Sequence, residues 1–354
     1  MINSNVILEI NSQNLIHNYK VLSKIANKSI CASTIKANAY GIGAINALKL
    51  LYKNGCKHFF VATFEEGLEI RKKNKTIVIY ILNGLESNTL SFFKKNNLIP
   101  IINTMKELSK VKKYLKKNKI NFGLHIDTGL NRLGISIKDL QIAKIKNLNI
   151  DILISHLASA DEINNNYNNI QNKIFQNSFQ YLNKVKYKSI SNSMGLNLSK
   201  EFYYNLIRPG ISLYGGHFNT KMKSIIKPVI CLKAKILQIK AIEKNQYVGY
   251  NQTFKTISKS IIAIIGAGYA DGISRKLSNK GVVYHKNKIF NIIGRVSMDT
   301  ITIDISKNYK IFKEGDYIEL INHKYGIDYM AIKCETICDE VLTSISKRVK
   351  RVYI

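Results

Sequence analysis

Along the first 210 residues, short apolar runs alternate with polar segments of helical spacing. The runs are "ICASTI" (30–35), "HFFVA" (58–62), "IVIYIL" (77–82) and "LIPII" (98–102), then "NFGLHI" (121–126), "DILISH" (151–156), "YKSISN" (187–192) and the weaker "NLIRPG" (205–210). Between them, "TFEEGLEIRKKN" and "TMKELSKVKKYLKKN" read as amphipathic helices. Strands that are apolar on both faces and separated by helices predict a parallel sheet covered on both sides. Eight such units predict an α/β fold, a closed (β/α)8 TIM barrel, with an open doubly wound sheet as the competing topology. Ahead of them, "NVILEI" predicts a strand, and Leu15, Tyr19 and Leu22 mark a helix with Ser12 as its expected cap.

Past residue 228 the period changes. "PVICLKAKILQIKAI", "SIIAIIGAGYA", "GVVYHKNKIFNIIG" and "VSMDTITIDIS" alternate apolar and polar positions, with little helix before about residue 328. Period-two alternation predicts a second, mostly β domain. The division read from the pattern is 10–227 for the barrel and 228–354 for the β domain. The Asn-rich "ASADEINNNYNNIQNK" reads as a loop entering a helix.

Composition alters this picture little. Lys and Arg number 54 against 23 Asp and Glu, a net charge of +31. The lysines are scattered rather than blocked, so the charge speaks to solubility and gives no nucleic-acid partner. Five cysteines without a CxxC pair suit a reducing compartment and predict no metal site. The start lacks a secretory pattern and no apolar run reaches ~20 residues, so a cytoplasmic protein without membrane spans is expected.

The chemistry gathers where the eight runs end, the face on which such barrels carry active sites. Lys36, Asn83, Asn103, Asp127 with Arg132, His156, Asn192 with Ser193, and Arg208 all fall there. Taken singly, Asn83 and Asn103 read as cap or turn residues, and His156 as a satisfied core histidine. Lys36 and Arg208 are harder to explain as structure, because unpaired cations are seldom placed on an inner rim. A lysine partly withdrawn from water loses proton affinity and can bond an aldehyde cofactor, of which pyridoxal phosphate (PLP) is the commonest.

The stretch "IKANAYGIG" around Lys36 resembles the PLP-lysine motif of the alanine racemase family. The resemblance continues in order through "HIDTGLNRLGI", "SHLASAD", "SNSMG", "RPGISLYG", "VGYNQTF", "GAGYADGISRKL" and "GRVSMDTITIDIS". It implies a fold-type III PLP enzyme that interconverts L- and D-alanine as a head-to-tail homodimer, supplying D-alanine for peptidoglycan. It also implies that the N-terminal strand, within residues 1–9, joins the β domain.

By that resemblance Lys36 holds PLP through its amine and then serves as one acid/base. Tyr250 of the partner subunit is the other, backed by His156. Arg208 faces the pyridine nitrogen. Tyr40, Ser193 and the backbone of Gly210 and Ile211 cradle the phosphate, with Asn192 in support. Arg132 lies near the substrate carboxylate, and Tyr269 with the Met298–Asp299 pair narrows the entrance from the partner side. On their own, Tyr269 and Met298 would read as core residues. Three positions depart from the family pattern. His125 stands where some members carry a carbamylated lysine that steadies the arginine, Lys347 where many carry a phosphate-binding tyrosine, and Asn251 where glycine is usual. The alternatives are a broad-specificity racemase acting on serine, lysine or arginine, a decarboxylase of the same fold, and a non-catalytic PLP-binding barrel.

Overall fold

The computed structural model describes residues 4–86, 89–217 and 220–354. Seven parallel strands follow one another in one sheet in chain order: Ser33–Thr34, His58–Val61, Val78–Ile81, Ile99–Ile102, Gly123–His125, Asn149–Ile154 and Lys184–Ser189. The eighth, Leu206–Ile207, closes the ring by pairing in parallel with Ile30–Cys31. On that side the Ala32 N–H donates to the Ile207 carbonyl at 2.9 Å, and on the other the Arg208 N–H donates to the Ser191 carbonyl at 3.0 Å. The predicted barrel is therefore present and the open sheet is not. The sixth and seventh strands begin two to three residues earlier than the apolar runs suggested.

Alternate residues of these strands explain why both faces are apolar. Ala32, Phe60, Tyr80, Ile101 and Ile152 fill the barrel interior as one cluster, while Phe59, Ile79 and Ile81 join the helix-facing core. The helices Phe64–Lys73 and Met105–Leu115 begin at Thr63 and Thr104, each closed by a reciprocal bond with a glutamate three residues on. The first helix, Ser12–Ala26, is capped one residue earlier than expected. Asn11, not Ser12, accepts the Asn14 N–H, and Ser12 is the first helical residue. Tyr167–Asn177 forms the helix that follows the Asn-rich loop.

The second sheet closes on itself as well. Ser260–Ile265, Ile301–Asp304, Lys288–Ile293, Val282–His285 and Tyr317–Ile321 are neighbours in that order, and the 13-residue strand Ile230–Ile242 pairs with the last and the first of them. Val6–Ile10 runs antiparallel to Ile230–Ala234, and Lys350–Tyr353 lies parallel beside Val6–Ile10. Both described chain ends thus belong to the second sheet; residues 1–3 of the expected N-terminal strand lie outside the described residues. This arrangement carries the C-terminal strand back to the barrel mouth. Arg351 donates to the Gly41 carbonyl at 3.0 Å and the Tyr353 hydroxyl to the Ile42 carbonyl at 3.0 Å, immediately behind Lys36.

Candidate active site

The turn that follows the first barrel strand is built against the ordinary preferences of its residues. Ala37, Asn38, Ala39 and Tyr40 all take left-handed backbone angles, with φ between 50° and 56°, at a cost of roughly 1–2 kcal/mol per residue. The turn is held from several sides. Glu66 accepts the Ala37 N–H at 2.6 Å and the Ala62 N–H at 2.7 Å, and Asn38 Oδ1 accepts the Ala44 N–H at 2.8 Å. Gly41, at φ 86°, lies so close to the second domain that a Cβ there would sit 2.4 Å from the Leu342 carbonyl oxygen. Strain of this kind is maintained where geometry matters to function, and what it positions is Lys36. Nothing in the residue order marks Arg351 or Tyr353 for this support, and Glu66 reads there only as part of an amphipathic helix.

Lys36 is half-buried on the wall of a cavity of about 530 Å³ at the C-terminal mouth of the barrel. Burial and, next, the Arg132 guanidinium push its amine below the ordinary lysine range; Asp339 opposes them and Arg208 adds to them. The amine is thus partly primed to lose its proton, the state in which it is nucleophilic.

Arg208 lies on the cavity wall and is 6% exposed. Its Nε donates to Ser189 Oγ at 2.9 Å, and Nη2 donates to the Ser155 carbonyl. All of these partners are neutral. Burial, and then Arg132, bring its pKa down to about 10, so it remains a cation and a donor at neutral pH. Among the described residues Nη1 has no protein acceptor, which leaves it for a ligand.

Next to it is a cradle of hydroxyl and amide groups. Ser193 Oγ accepts the Gly210 N–H at 2.9 Å and the Ser212 N–H at 3.2 Å, leaving its own hydrogen to donate elsewhere. The Gly210 amide is therefore already engaged, and Ile211 is the cradle's remaining backbone candidate. A Cβ on Gly210 would lie 2.3 Å from the Tyr40 hydroxyl, so the absence of a side chain there makes room for that phenol. Tyr40 in turn packs at a tilt, ring centres 4.8 Å apart, against Tyr214, whose hydroxyl donates to the Thr34 carbonyl. Asn192 Oδ1 ties off the turn through the Gly195 N–H at 2.9 Å.

Opposite, the 127–134 loop presents Arg132. Asp127 Oδ1 accepts the Gly129 and Asn131 N–H groups at 2.9 and 3.1 Å, and the loop is pinned by the Asp127 N–H to the Ile135 carbonyl at 3.0 Å. Two histidines complete this side. Burial, Arg208 and Arg132 hold His156 well below the ordinary range, and burial with Arg208 lowers His125 to about 3. Both are neutral. Asn103 is neither cap nor turn residue: it is buried and bonds His125. Asn83 lines the cavity.

The second domain supplies a roof. Ile337 and Asp339 reach the cavity from the C-terminal segment, where burial raises the Asp339 carboxyl. Lys347, at the position matched to a phosphate-binding tyrosine, is exposed and does not line the cavity. Tyr250, Tyr269, Met298 and Asp299 are also away from this chain's cavity, and Tyr250 is 68% exposed. The three beyond Tyr250 form one assembly. The Tyr269 and Ala270 N–H groups donate to the Ser297 and Met298 carbonyls at 3.0 Å each, while Arg348 bridges Asp271 at 2.7 Å and Asp299 at 2.7 Å. Arg348 thus holds one carboxylate oxygen of Asp299. Arg348 and Asp271 carried no signal in the sequence beyond ordinary surface charge.

A closed parallel barrel whose mouth holds a lysine of lowered proton affinity, a buried arginine and a hydroxyl cradle defines an enzyme built for a phosphorylated aldehyde and a small anionic substrate. Family models described as "Alanine racemase, N-terminal domain" and "Alanine racemase, C-terminal domain" match residues 10–217 and 229–353. The chain is 38% identical to the alanine racemase of Rickettsia akari and 37% identical to that of Rickettsia conorii, with 98% of this chain and 98% of each relative covered. Among solved structures, the alanine racemase of Bartonella henselae with covalently bound pyridoxal phosphate superposes with a TM-score of 0.94 at 34% identity, covering 99% of this chain and all of that one. The biosynthetic alanine racemase of Pseudomonas aeruginosa gives 0.92 at 26% identity, with coverage of 99% and 100%. The chain belongs to the alanine racemase family.

Proposed function

We propose that this protein is a PLP-dependent isomerase that interconverts L- and D-alanine. The observation that carries the reading is the placement of Lys36, Arg208 and the Tyr40–Ser193 cradle around one cavity in a chain similar to alanine racemases over its whole length. The residues fit the cofactor. The Gly210 surface is cut away for the Tyr40 phenol, Ser193 has a hydrogen to give, and the cavity's charges are mostly positive. Lys36 would hold PLP, Arg208 would donate to its ring nitrogen, and Tyr40, Ser193 and the Ile211 amide would hold its phosphate, with Gly210 making room for the phenol and Asn192 supporting the turn. When bound, PLP acidifies the α-hydrogen of an attached amino acid.

The chain's own residues do the rest. Racemisation removes the α-proton from one face and returns one to the other, so it needs an acid/base on each side. Lys36 supplies one, and the burial that lowers its proton affinity favours that role. Tyr250 of the partner subunit supplies the second. Its exposure in the isolated chain fits a group lent across an interface, as does its distance from its own cavity. A phenol is a weak base at neutral pH, and the neutral His156 on the cavity wall would accept from it. Arg132 and the Met298–Asp299 backbone would take the substrate carboxylate, with Tyr269 narrowing the entrance.

We divide the chain at 10–227 and 228–354, with the first nine residues added to the second domain; the pairing of Val6–Ile10 with Ile230–Ala234 supports that addition and carries Ile10 with it. Among the described residues no helix is long and apolar enough to cross a membrane. Five free buried thiols fit the reducing cytoplasm, where D-alanine would feed peptidoglycan synthesis.

Purified protein is expected to invert L-alanine faster than serine, lysine or arginine, with equal activity from the D side. A lysine- or arginine-first ranking would give the broad-specificity reading, and release of carbon dioxide would give a decarboxylase. Gly210→Ala is expected to weaken PLP retention roughly ten- to hundredfold by overpacking against Tyr40, read as faster loss of the visible PLP band on dialysis.

A further inference from the structure

His125 closes the Gly123–His125 strand and is 7% exposed, yet it lines the cavity together with Arg132 and Arg208. Its Nδ1 lies 2.9 Å from Asn103 Oδ1. The orientation of that amide is fixed from behind: Asn103 Nδ2 donates to the Leu82 carbonyl at 2.9 Å and the Ile101 carbonyl at 3.0 Å, so both of its hydrogens are used. A flipped amide would set its oxygen against two carbonyl oxygens. Oδ1 must therefore accept, and Nδ1 of His125 must carry the proton. The remaining nitrogen, Nε2, is a bare lone pair on the cavity side.

The groups around that ring favour the neutral form. Burial and Arg208 act most against a charge on it, Asp127 acts for it, Arg132 acts against it to a smaller degree, and the neighbouring His156 is neutral. Arg132, for its part, has neither an ion pair nor a side-chain hydrogen bond among the described residues; Asp127, which shapes its loop, gives its Oδ1 to two backbone amides. Arg132, exposed at the mouth, and His125, buried in the wall, line the same cavity, the one a cation with donors to spare and the other an acceptor with no donor.

We propose that His125, locked by Asn103 with its proton on Nδ1, is the positioning residue for Arg132, accepting from the guanidinium at Nε2 and so aiming it at the carboxylate of the substrate. The assignment of Arg132 to substrate rests on the racemase reading; the tautomer does not. Asn103 and His125 together form a fixed, uncharged acceptor between two arginines, so neither cation needs a carboxylate that would compete with an anionic substrate.

The tautomer is read directly by nitrogen NMR of histidine-labelled holoenzyme, with His125→Gln assigning the signal. An unprotonated Nε2, invariant between about pH 5 and pH 8, is expected. A protonated Nε2, or a ring that titrates in that range, overturns the proposal. Asn103→Asp replaces the neutral lock with a carboxylate, which raises the imidazole's proton affinity. KM for alanine is then expected to rise about tenfold on the acid side, with kcat changing less. The loss from His125→Phe is expected to vanish in an Arg132→Lys background, whereas a merely structural role would add to it. Additive losses would sink the proposal even if Asn103→Asp fails to fold. A wild-type enzyme inactive on alanine with the expected tautomer would instead overturn the racemase reading.

Discussion

Lys36→Ala is expected to lose racemisation by roughly 10³–10⁴-fold, because one residue fills two roles, cofactor anchor and acid/base. The visible band of protein-held PLP should vanish while the fold survives, since Lys36 is only half-buried and its turn is held by backbone and Glu66 contacts that alanine keeps. Lys36→Arg should behave like the alanine variant in turnover: a guanidinium is no nucleophile at neutral pH. Small primary amines added to Lys36→Ala should restore part of the activity by replacing the missing base. Turnover within tenfold of wild type in either variant would remove Lys36 from the chemistry.

Tyr250→Phe is expected to cost roughly 10²–10⁴-fold in inversion while leaving the PLP band unchanged. The residue is remote from the cradle of its own chain, and the loss of one hydroxyl from a 68% exposed side chain should not disturb the fold. The more telling readout is isotopic. In heavy water the enantiomer whose α-hydrogen faces Lys36 should still exchange it, without inversion, and the other enantiomer should exchange slowly. Equal slowing of exchange from both enantiomers would mean that Tyr250 acts on cofactor or substrate placement rather than on one face.

The parts of this architecture legible from residue order were those with a period. Apolar runs spaced by helices marked the barrel because its strands are buried on both faces, and the switch to alternation near residue 228 marked the second sheet. Element ends were read less well. The Asn11 cap was missed because Ser12 offers the same chemistry one residue later. Lys36, Arg208 and Gly210 stood out because cations and glycines at strand ends are poorly explained by packing. What stayed hidden was tertiary support. Glu66 looks like a helix-start residue but also holds the left-handed turn, and Asn103 looks like a turn residue but orients a histidine 22 positions away. Arg348, Arg351 and Tyr353 reach their partners only because the C-terminal strand returns beside the first one, a pairing that no local pattern encodes. Lys347 shows the converse: a position can align with a binding residue and still lie exposed, off the cavity wall of its own chain.

The shared site is tested most directly by pairing two inactive chains. Lys36→Ala and Tyr250→Phe subunits carrying different affinity tags would be co-expressed, and the mixed dimer isolated through both tags. If each cavity borrows its tyrosine from the other chain, the mixed dimer contains one intact site and one doubly defective one, and its activity should return to about half that of wild type. A mixed dimer no more active than its two parents would contradict the account.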